Sequence, residues 1–412
     1  MTTLQGIHID DQFDPFGTEY LADPIAIFNR LPAEYHPVFY ASRIGYYVVT
    51  RWAESEHVFR HPELFSAANV QDPVTPLRPE AQNVLQAAGY RPGVSTMDPP
   101  EHERLRDPIQ RTFTPGRAAR LVPAINALLD QMLAGVCEQD RFELVAELAR
   151  PLPVRVIVAL IGAPAQDWPQ IGRWSAARAA LSWGSPPAER QVALAQELTA
   201  YQHYFEALLD EKAKHPGEDL ASDLLGVERA GELTRSEVAS LLLGLSTAGH
   251  ETTTALITNM LRRLLERPAR WQRVVADPRL SEAAVNETLR YDPPVPAWRR
   301  VTTVATRLGA LDLPARANIL IWIAAANRDP AVFTTPEHFD LERRDGHRAL
   351  SFGKGIHACV GAPLARLEAR LALNALVGRM PDLQLVGDQP FNFRPTLVSH
   401  SPECLWISRT CH

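Results

Sequence analysis

The sequence predicts a mainly α-helical fold with a minor β part (α+β), organised on one long central helix. Three observations carry that expectation. Apolar residues recur at three- and four-residue spacing through most of the stretch from Pro99 to Met380. A proline-free run from Thr234 to Glu266 opens with a Thr234-x-x-Glu237 capping box. As one helix of roughly 32 residues it would be about 48 Å long and cross a whole domain. Third, β-branched and aromatic runs gather mainly in residues 38–50 and 295–323.

In order, Pro24–Leu31 reads as a short helix, and Val38–Tyr40 with Gly45–Thr50 as a small hairpin. Trp52–Arg60 returns to helix. Residues 66–96 lose periodicity and gather Pro73, Pro76, Pro79, Gly89, Pro92 and Gly93, as functional or mobile inserts do. Helical spacing then covers Pro99–Phe113, Gly116–Val136, Glu143–Leu160, Asp167–Leu181 and Pro187–His215. Beyond the long run come a helix at Ser281–Arg290 and β-type runs over Val295–Ile323, broken at Gly309 and Pro314. Asn327–Leu350 is irregular, Ala362–Met380 is helical, and the remainder is strand and turn. The 34 prolines cluster at these boundaries, which suits helices joined by rigid turns. With no repeat or linker, residues 1–412 read as a single domain.

A formal net charge of −6 and no basic block argue against nucleic acid as a partner. The N-terminal MTTLQGIHIDDQFDPFG lacks a signal pattern, and the longest apolar runs, Ile319–Ala326 and Val156–Gly162, are too short for a bilayer. The expectation is a cytoplasmic protein with no membrane anchor. None of the four cysteines (Cys137, Cys359, Cys404 and Cys411) forms a CxxC pair, so zinc and dithiol chemistry lack support. Pairing of Cys404 with Cys411 is disfavoured in a reducing compartment.

Cys359 stands among Gly353, Gly355 and Gly361, just before a helix with Pro363 in its first turn. Free N–H groups and the macrodipole there favour a thiolate, and glycine lets a flat ligand approach the backbone. Such a thiolate suits a metal carried by a planar macrocycle. A glycine-rich turn with one buried cysteine is the alternative on this stretch alone.

The stretch Phe352-Gly-Lys-Gly-Ile-His-Ala-Cys359-Val-Gly361 resembles the haem-binding signature of the cytochrome P-450 family, Phe-Gly-x-Gly-x-x-x-Cys-x-Gly. Companion motifs follow in the family's order: Met97–Arg106, containing His102 and Arg106; Ala248-Gly-His-Glu-Thr252 in the long run; and Glu287-Thr-Leu-Arg290 with Arg343 further on. The resemblance implies the family fold, with the long helix over haem b (iron protoporphyrin IX) and Cys359 as the iron's axial ligand. It assigns His102, Arg106, Arg300, His357, Phe352, Ala248 and Gly361 to cofactor contacts, with Arg299 competing for the place of Arg300. Glu251 and Thr252 become the catalytic pair that delivers protons to dioxygen, and Glu287, Arg290 and Arg343 a structural brace. Many relatives carry His at the position of Ala349, and Arg348 or His347 is the expected substitute.

The resemblance further implies a monooxygenase acting as a monomer. Its electrons come ultimately from NAD(P)H through a ferredoxin and its reductase, or a flavodoxin-type donor. Lys354 is a candidate contact for an acidic donor. FDPFG near the start and AWRRVTT at 297–303 are similar to haem domains fused to reductases, of which this chain reads as a stand-alone version. The substrate pocket is expected from segments 67–96 and 166–190, and from Gly244, Thr247, Ala248, Val295, Pro296, Ala297, Trp298, Leu397 and Val398. Trp168, Trp174 and Trp183 are further pocket candidates. No charged anchor stands out, so the expected substrate is medium-sized, organic and largely neutral, in secondary metabolism. Oxidative coupling, dimerisation, desaturation or ring formation on the same fold is the alternative, and a non-catalytic haem sensor or carrier a more distant one.

Overall fold

The long helix spans Arg235–Leu265 and starts on the capping box: Thr234 Oγ1 accepts from Glu237 N, and Glu237 Oε2 accepts from Thr234 N at 2.8 Å. Most of its residues are buried, consistent with an apolar pattern on nearly every side. In this computed structural model, which describes residues 3–4, 7–31, 35, 37–89 and 93–409, it packs against helices Pro151–Ile161, Ala188–Lys214, Ser281–Tyr291 and Ala362–Arg379. The approach of Pro151–Ile161 is close enough to require glycine: a Cβ on Gly249 would meet Ile157 Cδ1 at 2.8 Å.

Among the described residues a seven-stranded mixed sheet runs Thr3–Leu4, Ile7–Asp10, Val38–Ala41, Tyr46–Val49, Asn318–Ile321, Trp298–Thr302, Phe65–Ser66. The expected hairpin is its middle, with Phe39 opposite Val48. Asn318–Ile321 lies parallel to Tyr46–Val49 and antiparallel to Trp298–Thr302, with Ile321 opposite Trp298 and Ile319 opposite Arg300. Alternation along that strand puts Trp298 and Arg300 on one face and Arg299 on the other. A second sheet joins Leu383–Leu385, Trp406–Arg409 and Arg141–Glu143, and Thr306–Leu308 pairs with Leu311–Leu313 around Gly309.

Four sequence expectations need correction. The 66–96 stretch contains a helix, Pro79–Ala87, with its proline in the first turn; Tyr90–Pro92 lie outside the described residues. Gly116–Val136 is two helices, Pro115–Arg120 and Val122–Val136, because Pro123 restarts the second. Glu143–Leu160 is strand Arg141–Glu143, a π-turn over Val145–Ala149 and a helix from Pro151. Pro151 and Pro153 lack N–H donors, so the helix cannot propagate into them unchanged. Helices Leu220–Arg229, capped by Asp219, and Pro268–Ala276 were not expected. Cys411 also lies outside the described residues.

The 391–403 segment closes the structure over the long helix. Asn259 Nδ2 donates to the His400 carbonyl at 2.8 Å, and His400 Nε2 donates to the Leu21 carbonyl at 2.8 Å.

Candidate active site

The cysteine loop takes its shape from two glycines at positive φ, Gly353 at 65° and Gly355 at 70°. At Gly355 a Cβ would lie 2.5 Å from the Phe59 carbonyl oxygen. Cys359 N donates to the Phe352 carbonyl at 2.9 Å, closing the loop. The helix Ala362–Arg379 follows, and the Gly361 and Ala362 N–H groups donate to the Cys359 sulfur. Burial raises the thiol's pKa, opposed by those N–H groups and by Arg106. A bound metal would deprotonate it outright. Arg106 donates to the Ala358 carbonyl, and the Arg366 guanidinium stacks 4.4 Å from the Phe352 ring centroid.

Behind the loop is a buried brace. Arg290 grips Glu287 through two bonds of 2.9 and 2.7 Å, and its other donors reach the Asn327, Pro336 and His338 carbonyls. Arg343 Nε sits 3.1 Å from the same Glu287 and also donates to Thr334, Thr335 and His338 carbonyls. The motif spacing thus joins helix Ser281–Tyr291 to the irregular 327–350 stretch that leads into the loop.

Between loop and long helix lies a cavity of about 280 Å³. Cys359, Phe352, Gly353, His357, Arg106 and Arg300 wall one part, and Gly244, Thr247, Ala248, Glu251 and Thr252 another. Ala248 is exposed in the middle of an otherwise buried helix because its methyl faces this space. Thr252 Oγ1 donates to the Ala248 carbonyl at 3.0 Å, competing with the helix ladder there. Glu251 Oε2 lies 3.2 Å from Arg394 Nη2. Buried His250 donates from Nδ1 to the Ser246 carbonyl at 2.7 Å, while Ser246 Oγ accepts from Tyr201.

Several nitrogens near Cys359 lack hydrogen-bond partners among the described residues. Both ring nitrogens of His102, Arg106 Nε and His357 Nε2 are buried with no hydrogen-bond partner among the described residues. The His102 and His357 rings stand 4.2 Å apart. Burial, then Arg300, His102 and Arg106, drive the His357 pKa down to about 2; burial lowers Arg300 to about 10. An open thiol facing unsatisfied donors fits an iron macrocycle with two acidic side arms. Haem is such a group.

The cytochrome P450 family model matches residues 191–402. Erythromycin C-12 hydroxylase of Saccharopolyspora erythraea is 38% identical over 377 residues, 89% of this chain and 90% of that one. The chain belongs to the cytochrome P450 family. The solved structure of P450 CREJ in complex with (4-ethylphenyl) dihydrogen phosphate superposes at TM-score 0.92 with 34% identity, covering 97% of this chain and 100% of that one. Full-length CYP116B46 of Tepidiphilus thermophilus gives 0.92 at 31% identity, with 97% of this chain matching 53% of that one. This P450 is accordingly an oxidoreductase of the monooxygenase class. No described helix is long and apolar enough to cross a membrane.

The structure separates Arg300 from Arg299 as the sheet register requires. Arg300 lines the P450's cavity, whereas Arg299 turns away, donating to the Asp72, Val70 and Ser182 carbonyls and stacking 4.0 Å from the Trp183 ring. Gly361 does not line the cavity; it caps the following helix beside the sulfur.

Of the expected pocket residues, Gly244, Thr247, Ala248, Val295, Trp298 and Val398 line the cavity. Pro296, Ala297 and Leu397 do not; Ala297 and Leu397 pack in the aromatic core around Phe39 and Trp322. Trp183 lines it against Trp298, but Trp168 lies under Arg155 and Trp174 stacks on Tyr201. Neither Arg348 nor His347 reaches the cavity: Arg348 stacks on Trp52, and His347 bonds the Arg344 carbonyl.

Sequence reasoning missed Arg394 and Arg178. Nothing local marks Arg394. Arg178 carries a signal, a single charge among Ala177, Ala179, Ala180 and Leu181, and it lines the cavity. No charged anchor stands out in the sequence; Arg178 is a charged residue in the cavity wall.

Proposed function

We propose that this P450 holds b-type haem through the Cys359 thiolate and hydroxylates a medium-sized organic substrate of secondary metabolism. It uses dioxygen and electrons from separate redox proteins, a ferredoxin with its NAD(P)H-dependent reductase or a flavodoxin-type donor. Residues 1–412 act as one haem domain, monomeric and cytoplasmic. The reading is supported above all by one observation: the Cys359 sulfur and the Ala248–Thr252 segment open onto the same cavity.

When bound, haem supplies dioxygen binding and O–O cleavage, which thiolate donation favours. Arg106, Arg300 and His357, with His102 beside them, would hold its carboxylates, and Phe352 would pack against it. Ala248 leaves room for the ring. Thr252, its hydroxyl turned to the Ala248 carbonyl, holds a proton donor next to the oxygen site, and Glu251 passes protons toward it. Apolar side chains, Val295, Trp298 and Val398 among them, orient the substrate and exclude water. Hydroxylation of secondary metabolites is supported by the erythromycin hydroxylase among the relatives.

The test is spectral and then chemical. The reduced carbonyl complex should absorb at the thiolate-type position, and turnover should add one oxygen atom to the product. Thr252→Ala should keep both spectrum and ligand binding while diverting electrons to hydrogen peroxide. An imidazole-type carbonyl spectrum in folded protein rejects the Cys359 assignment, and unchanged coupling in Thr252→Ala rejects the proton route.

A further inference from the structure

Arg178 lies on the helix Trp168–Trp183 in apolar surroundings, with Ala177, Ala179 and Leu181 all buried around it. It is 5% exposed, and it contributes to the cavity wall. Its Nε is buried with no partner, and among the described residues no ion pair or hydrogen bond satisfies the guanidinium. Several other buried arginines do have partners for their terminal nitrogens. Arg290 and Arg343 share Glu287, and Arg299 donates from both terminal nitrogens to carbonyl oxygens, although its Nε too has no partner among the described residues.

A guanidinium does not shed its proton in a protein, and a buried charge without a partner is costly. The cavity offers no internal remedy. Its charged lining residues are Arg106, Arg178, Glu251 and Arg300. The sole acid, Glu251, is engaged by Arg394, and Arg106 and Arg300 stand with His357 beside Cys359. Arg178 is thus the cation on the substrate side of the cavity, with its donors uncommitted.

Its support is rigid. One turn along the helix, the Ser182 carbonyl accepts from Arg299 at 3.0 Å and the Trp183 carbonyl from Leu397 N at 2.9 Å. At Gly184 a Cβ would meet the Ala180 carbonyl at 2.8 Å, so the chain turns there only with glycine. A cation carried on a fixed backbone has less freedom to lose when the ligand binds.

We infer that Arg178 anchors an anionic substrate: an organic molecule with a carboxylate or phosphate head on the guanidinium and an apolar body along Trp183, Trp298, Val295 and Leu241. This rests on the reading of the cavity as the substrate site of a haem enzyme. The planar fork of arginine matches an oxyanion through two parallel bonds, which an alcohol or ester cannot supply. Charge therefore sets which molecules are held, and the aromatic pair sets their width.

The experiment uses haem-loaded protein and matched pairs of ligands, 4-phenylbutyrate against its methyl ester and 4-phenylbutyl phosphate against 4-phenylbutan-1-ol. Binding is read by calorimetry and by the spin-state shift. Wild type should bind at least one anion about tenfold or more tighter than its neutral partner, the effect of one charge-assisted contact. Which anion is preferred tells a carboxylate substrate from a phosphate ester. Arg178→Gln should bring each pair within about threefold and leave the neutral ligands unchanged, while Arg178→Lys keeps part of the preference. Equal affinities in wild type, no binding of either anion, or a preference that survives Arg178→Gln overturns the inference. The reduced carbonyl spectrum of the same samples fails only if the haem reading itself is wrong.

Discussion

Glu251 and Arg394 form an ion pair at 3.2 Å between the long helix and the 391–403 segment. Glu251 is 11% exposed and Arg394 33%, so the pair links the cavity wall to water. Arg394 also stands 3.9 Å from Glu403, giving it an alternative partner outside. The Glu251 carboxylate, proposed above to pass protons inward, is thereby held in one orientation by a residue in contact with solvent.

Arg394→Gln should free Glu251 without touching the haem contacts. We expect ligand affinity within twofold of wild type, coupling of electrons to product lowered severalfold, and a larger solvent deuterium isotope effect on turnover. Product formed per NAD(P)H consumed checks this, and unchanged coupling with an unchanged isotope effect removes Arg394 from the proton route.

The Glu287–Arg290–Arg343 brace holds two guanidinium groups against one carboxylate in an almost fully buried place. Glu287→Gln leaves Arg290 without a counter-charge and Arg343 with Asp345 alone, at 3.1 Å, a change that costs about 3–5 kcal/mol for a buried pair. Arg343→Ala should cost less, because Arg290 keeps its partner. Denaturation of the haem-loaded proteins should rank them in that order, with haem loss preceding loss of helical signal.

Glu237 gives a pH dependence with a definite sign. The hydrogen bond from Arg104 lowers its pKa from about 4.5 to about 2, with burial opposing and Thr234 assisting. A lowered acid contributes stability that is present above pH 4.5 and lost as the pH falls toward 2. Glu237→Gln should flatten the stability profile in that window, read as thermal midpoint against pH. An identical acid slope in both proteins would show that the capping box and the Arg104 pair do not persist in solution.

Gly355 is held by geometry. Gly355→Ala must accommodate φ near 70° and a Cβ 2.5 Å from the Phe59 carbonyl, which is backbone and cannot swing aside. The loop should shift, lowering the yield of haem-loaded protein and weakening the thiolate-type carbonyl band. A normal band at normal yield would mean that the helix Trp52–Arg60 gives way instead.

Much of the site was legible because its parts are short and periodic. Cys359 with its glycines, the Glu287/Arg290 pair one turn apart, and Thr234/Glu237 at a helix start all act on near neighbours in sequence. What escaped depends on chain segments meeting from far away. Arg394 finds Glu251 through a turn with no periodic pattern. Ala297 and Leu397 sit next to lining residues yet point into the other core, since one residue in an extended chain reverses the side chain's direction. The same alternation separates Arg299 from Arg300, which only the register against Ile319 could decide.

The bond from His400 to the Leu21 carbonyl joins residues 379 apart, and the same turn secures the long helix at Asn259. On a ribosome adding about 5–20 residues per second, the Leu21 segment waits roughly 20–75 s before its partner exists. Throughout that interval the aromatic side chains of Phe13 and Tyr20 lack this closing contact. Slower synthesis should therefore lengthen the time for which the two ends of the chain stay unjoined.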